Sequence, residues 1–553
     1  MEGVSRGRDI SIVQNTAGRL ALMTIDQTQR TRELIQRLTH SSPLEVQRWG
    51  AIRGRVALLL GREASLTKNG QLAFFTAINL LARLHPVVTE IAIHIEADAP
   101  VLVHAPLFDG PKVSHAVRYF AASLNSPVTL TLHYAATPLE DAEVVLMAGA
   151  FYAGLSQISF GSDGWNLHLN SGGQCGFSDR FNPVGSMSVA CLVVSEAFKR
   201  IFVMKASRMG LHPNSVPPML LLNGRSLIST LSYRTLTDDI PNPDLPPEVD
   251  MGRVTVVGVG AGGGACLYAL ATLPLTGELW VVDPDVVNAH NLNRYIYATE
   301  EDARKLRTKV NVLSQFLRSR ILKCCTFDTP FSDFKSAHPR WPRDLVVSTV
   351  DTAEARHAIQ WEVPRIILDA AVSRSTFYVH RVELGRSACL KCTHIASSEQ
   401  TDIVRVISAV IGMEYTEVSR IYFDNIPLTG DTARHIGQNV IPHGLAAPNE
   451  GMTLQDWVML HCGQLKLTTT SEMTLPIPFA TVLPGILLAG EIIKERYFPT
   501  HVVKHSVNHD VFGLPLSWLV TPLNPKQDCS LCSDETVKRA YRNLYQNSGT
   551  RED

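Results

Sequence analysis

Hydrophobic and polar positions follow the same order in two parts of the chain. The first part has an apolar run at 55–60 (RVALLL), an apolar helical pattern at 71–84, and alternating strand patterns around 90–97 and 128–135. The second part has a valine-rich run, a glycine cluster and an apolar helical pattern at 253–273, then a strand pattern at 278–285. This order predicts an α/β protein with two tandem Rossmann-like units.

A similar closing helix follows in each part. The sequence NPVG at 182–185 precedes SMSVACLVVSEAFKRIF, and LPG at 483–485 precedes ILLAGEIIKERYF, each with Glu and Lys near the end. We interpret both as a Pro-Gly start of an apolar helix, and the chain as a duplication. Because apolar helices resemble one another, two unrelated α/β domains are the alternative.

Composition narrows the class of protein. The chain has 553 residues, 45% hydrophobic and 19% charged, with a formal net charge of −1. These values are typical of a globular protein of several domains, and they give no basic field for nucleic acid. No apolar run reaches the roughly 18 residues of a membrane helix, and the N-terminus has no apolar signal core. We therefore expect a cytoplasmic protein that binds neither nucleic acid nor membrane.

The glycine cluster predicts a nucleotide site. Gly258, Gly260 and Gly263 have the spacing G-x-G-x-x-G directly after the predicted strand, and Asp283 ends the next strand. Glycines let the backbone approach a phosphate at a helix start, and an acid in the second position binds a ribose hydroxyl. This pattern alone also fits an NAD-dependent oxidoreductase.

The residues after Asp283 are more specific. The run D-P-D-V-V-N-A-H-N-L-N-R, with a later lysine, resembles the ThiF/MoeB and ubiquitin-activating (E1-like) superfamily. The resemblance implies ATP as the nucleotide, Asp283 on the ribose, and Asn291, Arg294 and Lys309 facing the triphosphate. It disfavours the NAD alternative.

Two positions depart from the family pattern. His290 replaces the usual Ser and Tyr295 the usual Gln. The loop before Lys309 is also about two residues longer than the family pattern has, so Lys305 or Arg307 could take the role of the family's lysine instead.

Asp351 ends another apolar strand, at 345–350. The pattern D-T-A-E-A-R at 351–356 matches the family pattern of an Asp and a following Ala-Arg pair, which implies that Asp351 binds Mg²⁺. The alternative is that Asp351 caps the following helix.

Two C-x-x-C pairs predict a structural Zn²⁺ site. Their four thiolates suffice for a closed tetrahedral site, which leaves no open position for catalysis. The pairs are Cys389 with Cys392 and Cys529 with Cys532.

Residues 393–528 lie between the two pairs, and adenylation alone does not need them. In ubiquitin-activating relatives the thioester-forming cysteine lies in this interval, which implies Cys462 as the nucleophile. The alternative is a small buried cysteine.

The resemblance therefore implies an inactive adenylation-like domain at 1–240, a linker at 241–252, and an active adenylation domain at 253–392 and 476–553, with a catalytic-cysteine segment at 393–475. Two such domains would form an intramolecular pseudo-dimer, and a homodimer is possible. In related proteins a helix of the inactive domain supplies an arginine to ATP; Arg30 and Arg32 are the candidates, with a solvated surface as the alternative.

The implied function is an E1-like enzyme that adenylates the C-terminal glycine of a ubiquitin-like protein, captures it as a thioester and transfers it to an E2-like protein. The layout resembles the BilD type from bacterial conjugation operons that act in antiphage defence. A sulfur-carrier adenylyltransferase without a thioester step and a non-catalytic scaffold are the alternatives.

Overall fold

The structure is a computed structural model. It describes residues 10–12, 52–133, 142–149, 158–171, 173–208, 230–234, 242–318, 320, 323–373, 376–394, 407–408, 410–423, 426–441, 447–454, 457, 477–500, 502–503, 506–512, 519–521, 524–527 and 529–545. The predicted polar helix with Arg30 and Arg32, and the predicted nucleophile Cys462, lie outside the described residues.

The first half of the chain contains one eight-stranded sheet and four described helices. Its strands are β1 (Ile10–Ile12), β2 (Gly54–Leu60), β3 (Val88–Ile95), β4 (Thr129–His133), β5 (Val144–Ala148), β6 (Ile158–Asp163), β7 (Asn166–Ser171) and β8 (Thr230–Arg234). Its helices are α1 (Arg62–Ser65), α2 (Lys68–Leu81), α3 (Val113–Leu124) and α4 (Pro183–Arg208).

The second half contains another eight-stranded sheet. Its strands are β9 (Val249–Val257), β10 (Leu275–Val282), β11 (Lys323–Phe327), β12 (Leu345–Ser348), β13 (Ile366–Ser373), β14 (Thr376–Val382), β15 (Ser506–Asp510) and β16 (Leu519–Thr521). The α-helices are α5 (Ala261–Leu270), α6 (Glu300–Arg304), α7 (Lys309–Leu317), α8 (Phe331–Ala337), α9 (Ala353–Trp361), α10 (Leu390–Thr393), α11 (Tyr415–Phe423), α12 (Gly430–Val440), α13 (Pro478–Tyr497) and α14 (Glu535–Tyr545). No described helix is both long and apolar enough to span a membrane.

The two sheets share the same strand order over seven strands; β1 is an additional edge strand of the first sheet, and β16 is an additional strand at the opposite edge of the second. The first runs β1-β4-β3-β2-β5-β6-β7-β8 and the second β11-β10-β9-β12-β13-β14-β15-β16, so β2 corresponds to β9 and β7 to β14. In each sheet the central strands are parallel and the later ones antiparallel. The central strands β2 and β9 are rich in Val and Leu because helices cover parallel strands on both faces. The prediction of two tandem Rossmann-like units is confirmed.

The closing helices α4 and α13 also correspond, but not through the proline that the sequence suggested. Helix α13 begins at Pro478 and contains Pro484, so the predicted Pro-Gly helix start at 483–485 is wrong. Pro478 is the counterpart of Pro183, the first residue of α4. A proline inside a helix is costly, but α13 is buried along most of its length, and tertiary packing decides helix stability.

Each closing helix carries a buried ion pair near its end. Lys199 lies 2.6 Å from Glu196, and both side chains are fully buried. Lys494 pairs with Glu491 in the same i,i+3 arrangement, and both side chains are again buried. Lys199 also donates to the carbonyl oxygen of Phe512, at 3.2 Å, so α4 of the first half is tied to the second half.

Strand β9 begins earlier than the sequence suggested. The predicted linker extends to residue 252, whereas β9 begins at Val249. Val249 and Met251 are buried, and this pattern was hidden in sequence by the polar neighbours of each. Residues 249–252 therefore belong to β9 and not to the predicted linker.

Residues 394–474 form a separate compact unit. Within it, α11 and α12 pack around an apolar core that includes Ile411, Ile436 and Trp457. Thr429 caps α12 by accepting a hydrogen bond from the backbone N–H of Thr432.

Candidate active site

The glycine loop connects β9 to α5 and is held against the end of β12. Gly258 has a φ of +88°, and a Cβ there would lie 3.0 Å from the carbonyl carbon of Thr349. A Cβ on Gly263 would lie 2.2 Å from the carbonyl oxygen of Gly258. The Thr349 hydroxyl donates to that same oxygen at 2.6 Å. Only glycine fits at these two positions, and the loop presents the start of α5 to a ligand.

Asp283 directly follows β10, beside this loop. It is 5% exposed, and its Oδ2 accepts a hydrogen bond from the backbone N–H of Val259 at 2.6 Å, while Oδ1 accepts from Asp285 N–H at 2.9 Å. Burial raises the pKa of the Asp283 carboxyl, and the charge of Lys309 offsets this only in part. The aspartate therefore links the second strand to the loop, with lone pairs left for a further donor.

Lys309, the first residue of α7, bridges the two aspartates. Its Nζ lies 2.6 Å from Asp285 Oδ2 and 3.4 Å from Asp283 Oδ1. The two alternative cations pair elsewhere: Arg307 with Asp302 at 2.8 Å and Lys305 with Glu301 at 2.8 Å. The described contacts thus favour Lys309 as the cation of this site.

Asn291 and Arg294 lie in the segment that follows β10. Asn291 closes a short 3₁₀ helix, Ala289–Asn291, where its side-chain oxygen accepts a hydrogen bond from the backbone N–H of Asn288 at 2.9 Å. Arg294 donates to the carbonyl oxygen of His290 at 2.9 Å. Asn291 therefore shapes the turn from which Arg294 projects.

Tyr295 lies between the two cations. Its ring centroid is 5.2 Å from the guanidinium of Arg294 and 5.6 Å from Lys309 Nζ, and the ring stacks on Tyr297 at 5.3 Å. Tyr297 in turn donates its hydroxyl to the carbonyl oxygen of Val259 in the glycine loop, at 2.7 Å. The replacement of Gln by Tyr at 295 thus gives the site an aromatic platform between Arg294 and Lys309.

Asp351 lies exposed after β12, at the sheet edge that also carries the glycine loop and Asp283. Thr352, and not Asp351, is the N-cap of α9, where its hydroxyl accepts a hydrogen bond from Ala355 N–H at 3.2 Å. The alternative in which Asp351 caps the helix is therefore wrong. A carboxylate at this position fits the preference of Mg²⁺ for oxygen ligands shared with phosphate.

The four predicted zinc ligands come together from the start of α10 and the segment before α14. The sulfur atoms of Cys389, Cys392, Cys529 and Cys532 all lie within 4.8 Å of one another. Measured pairs are 3.8 Å (389–392), 3.6 Å (389–529) and 3.3 Å (392–532). A tetrahedral ion with Zn–S bonds of about 2.3 Å places its sulfurs about 3.8 Å apart, so the cluster fits zinc.

Hydrogen bonds to sulfur favour the thiolate of Cys529, whereas burial raises the thiol pKa of Cys389 and Cys532. Burial raises the pKa of the Cys529 thiol, but backbone N–H groups of Cys532 and Leu531 outweigh burial and lower the pKa to about 7. The cluster lies in an apolar core with Tyr541 of α14, whose hydroxyl donates to the carbonyl oxygen of Arg365. The cysteines therefore fix the C-terminal segment to the sheet.

Four of the described cysteines outside the cluster are poorly suited as nucleophiles. Burial raises the thiol pKa of Cys175, Cys191, Cys266 and Cys324, and Cys266 is fully buried in α5. A thiol with a raised pKa is rarely the thiolate that attacks. Nucleophilic chemistry at these four positions is disfavoured.

The first half keeps the scaffold of this site without its glycine loop. Gly61 follows β2 as Gly258 follows β9, but α1 occupies the place of the loop. Glu96 follows β3 and accepts a hydrogen bond from Arg62 N–H at 2.8 Å, the counterpart of the contact between Asp283 and Val259 N–H. The first half therefore lacks the cradle that a phosphate needs.

Sequence reasoning missed Asp285, Thr349 and Tyr297. Asp285 is the second acid of the D-x-D pattern, so its spacing from Asp283 was a usable signal. The hydroxyls of Thr349 and Tyr297 bond loop carbonyls from distant parts of the chain, and no local pattern announces them.

Comparison with known proteins agrees with this geometry. Residues 247–501 match the ThiF family, and residues 55–212 match the BilD N-terminal domain. The uncharacterized protein y4jF of Sinorhizobium fredii is 28% identical over 519 residues, which cover 89% of this chain and 92% of that protein. The glycine loop and its acids fall in the ThiF match, and the half without the loop falls in the BilD match; together the two matches support a BilD-type bacterial protein of the E1-like superfamily.

Proposed function

We propose that this protein activates the C-terminal glycine of a small ubiquitin-like protein with ATP, captures it as a thioester on Cys462, and passes it to an E2-like protein. The observation that carries the adenylation step is the set of charges around the glycine loop. Lys309 Nζ lies 3.4 Å from an Asp283 carboxylate oxygen and 2.6 Å from one of Asp285. The guanidinium of Arg294 lies over the ring of Tyr295. This set combines an acceptor for ribose with cations for a triphosphate.

In the first step, a carboxylate oxygen of the terminal glycine attacks the α-phosphorus of ATP. The new bond is an acyl–phosphate bond, and the bond to the β-phosphate breaks to release pyrophosphate. Arg294 and Lys309 offset the negative charge that develops on the phosphates, and the glycine loop holds the phosphates in place. Asp351 would hold Mg²⁺, which adds positive charge on the phosphate oxygens when bound.

In the second step, the Cys462 thiolate attacks the acyl carbon, a C–S bond forms, and AMP leaves. Cys462 lies outside the described residues, so this role rests on the family resemblance. Burial raises the thiol pKa of Cys266, the cysteine of the helix that follows the glycine loop, so this thiol is a weaker candidate than Cys462. The zinc cluster has four protein ligands and supplies no reacting group.

Adenylation and thioester formation depend on different residues, so separate mutations should abolish them independently. The enzyme, ATP·Mg²⁺ and a small ubiquitin-like protein that ends in glycine are combined; pyrophosphate exchange measures the first step, and a non-reducing gel detects the thioester. Cys462→Ala should keep exchange and lose the adduct. Arg294→Ala should lose both, because without the adenylate there is nothing for the thiol to attack. Cys325→Ala, a thiol outside the zinc cluster, is the matched control.

The outcomes separate the alternatives. A reductant-sensitive adduct that persists in Cys462→Ala moves the nucleophile elsewhere. Normal pyrophosphate exchange without any adduct in the native protein favours a sulfur-carrier adenylyltransferase. The acyl-adenylate would then react further only when a sulfur donor is added. Absence of both ATP binding and exchange favours a non-catalytic scaffold.

The resemblance to the BilD type, whose N-terminal domain family matches residues 55–212, also supports a role in a conjugation system that acts against phage. Cells that carry the complete system with Arg294→Ala should then lose protection from phage, whereas Cys325→Ala should keep it. Equal protection in both strains would contradict this role.

A further inference from the structure

Arg83 of the first half reaches into the segment that carries Arg294. It follows the end of α2 and is 3% exposed. Its Nη1 donates to the carbonyl oxygen of Leu292 at 2.5 Å, and its Nη2 to that of Ala298 at 3.0 Å. One guanidinium therefore joins both ends of a segment of the other half.

Asn79 completes this contact. Its side-chain oxygen accepts a hydrogen bond from Arg83 Nε at 2.7 Å, and its side-chain nitrogen donates to the carbonyl oxygen of Ile296 at 2.8 Å. The two side chains thus bind three carbonyl groups, at Leu292, Ile296 and Ala298. A fixed fork of donors suits such a task, because its geometry is set before binding.

Between these anchor points lie Arg294 and Tyr295. The peptide N–H of Arg294 donates to Asn291 O at 3.0 Å, and that of Tyr295 to the same oxygen at 2.9 Å. The turn is therefore stabilised both by its own backbone hydrogen bonds and by the hydrogen bonds from Asn79 and Arg83 of the first half. A shift of this turn would move the Arg294 guanidinium and the Tyr295 ring together.

The burial of Arg83 argues against a role in packing alone. Burial lowers its pKa to about 9, so the group stays charged at neutral pH, and the partners named above are neutral oxygens. Burying a charge among neutral groups is expensive compared with an apolar side chain of the same size. The contact geometry is therefore the feature that an apolar residue could not supply.

We propose that Arg83 is a positioning residue through which the first half holds Arg294 in the nucleotide site. The proposal rests on the proposed adenylation activity. It gives the half without a glycine loop a direct part in the reaction, through a buried contact and not through a residue that touches ATP. It also differs from the role expected of Arg30 and Arg32, which was a contact with the triphosphate itself.

Two measurements on the full-length protein test this role. Arg83→Lys keeps a cation of similar length but cannot span two carbonyl groups. Hydrogen–deuterium exchange of peptides that cover 291–298 reports on the turn without any need for activity. Calorimetric titration with ATP·Mg²⁺ reports on the site. Ser195→Ala is the matched control, since the Ser195 hydroxyl of α4 also crosses between the halves, but to Val511 O, at 2.8 Å, and not to the segment.

Arg83→Lys should speed amide exchange at Arg294, Tyr295 and Ala298 and weaken ATP binding by about tenfold, whereas Ser195→Ala should do neither. In an Arg294→Ala background the same change should weaken ATP binding by less than about threefold, because residues that act as a unit are not additive. Equal loss in both backgrounds, or an unchanged exchange rate at 291–298, would overturn the proposal. If the native protein binds no ATP, the adenylation proposal fails, and the amide-exchange comparison still decides whether Arg83 holds the turn.

Discussion

Arg356 and Asp369 form a buried ion pair beneath the turn that carries Asp351. Arg356 Nε lies 3.0 Å from Asp369 Oδ1, and the two side chains are 5% and 0% exposed. Tyr378 donates its hydroxyl to the other carboxylate oxygen, also at 3.0 Å. The pair joins α9 to β13 and thereby fixes the direction in which the strand-to-helix turn presents Asp351.

Asp369→Asn should destabilise the protein by about 3 kcal/mol, because it leaves the Arg356 charge buried without its partner. Chemical denaturation measures the change. The matched control is Asp344→Asn, which breaks an exposed pair with Arg253 and should cost no more than about 1 kcal/mol. Equal losses in the two variants would mean that the buried pair is not needed for stability.

Asp351→Ala should abolish activity and leave stability almost unchanged. The side chain is exposed and does not cap α9, so the free energy of unfolding should change by less than about 0.5 kcal/mol. Pyrophosphate exchange should nevertheless be lost, because a carboxylate for Mg²⁺ is removed. Near-native exchange in the folded variant would rule out Asp351 as a metal ligand.

The parts of this site that were predictable are those that short motifs encode. Gly258, Gly263 and Asp283 occupy positions that a strand, a tight turn and a helix dictate locally, and the cysteine pairs have a spacing that a metal requires. The two tandem Rossmann-like units followed from the recurring hydrophobic pattern. In each case the physical constraint lies within a few residues of sequence.

The remaining features depend on contacts between distant residues. Arg83 and Leu292 are 209 positions apart, and nothing near either residue signals the hydrogen bond between them. Pro484 misled the helix assignment for the same reason, since a local rule disfavours proline within a helix while burial of α13 outweighs it. The start of β9 was hidden because only tertiary packing shows that Val249 and Met251 face the core.

Removal of zinc should loosen the C-terminal segment before it affects the sheets. We expect one zinc per chain in the native protein and none in Cys532→Ser, since a structural site with three thiolates loses most of its affinity. Limited proteolysis should then cleave within 529–545 faster, although Tyr541 and Tyr545 still bond to Arg365 O and Val363 O. Cys325→Ser, outside the cluster, should keep the metal; a native protein that contains no zinc would contradict the assignment.

Two glycines of the phosphate loop should respond differently to the same added methyl group. On Gly263 a Cβ would lie 2.2 Å from Gly258 O and 2.5 Å from Thr349 Oγ1, so Gly263→Ala must displace the loop, with a loss of about 1–3 kcal/mol in the free energy of unfolding. On Gly260 a Cβ would meet only the Tyr295 hydroxyl at 3.9 Å, so Gly260→Ala should fold with nearly native stability. Both variants should lose ATP binding in calorimetric titration, the first because the loop moves and the second because the methyl group lies where a phosphate must approach the backbone. Native ATP affinity in Gly260→Ala would show that the phosphates bind elsewhere than at the start of α5.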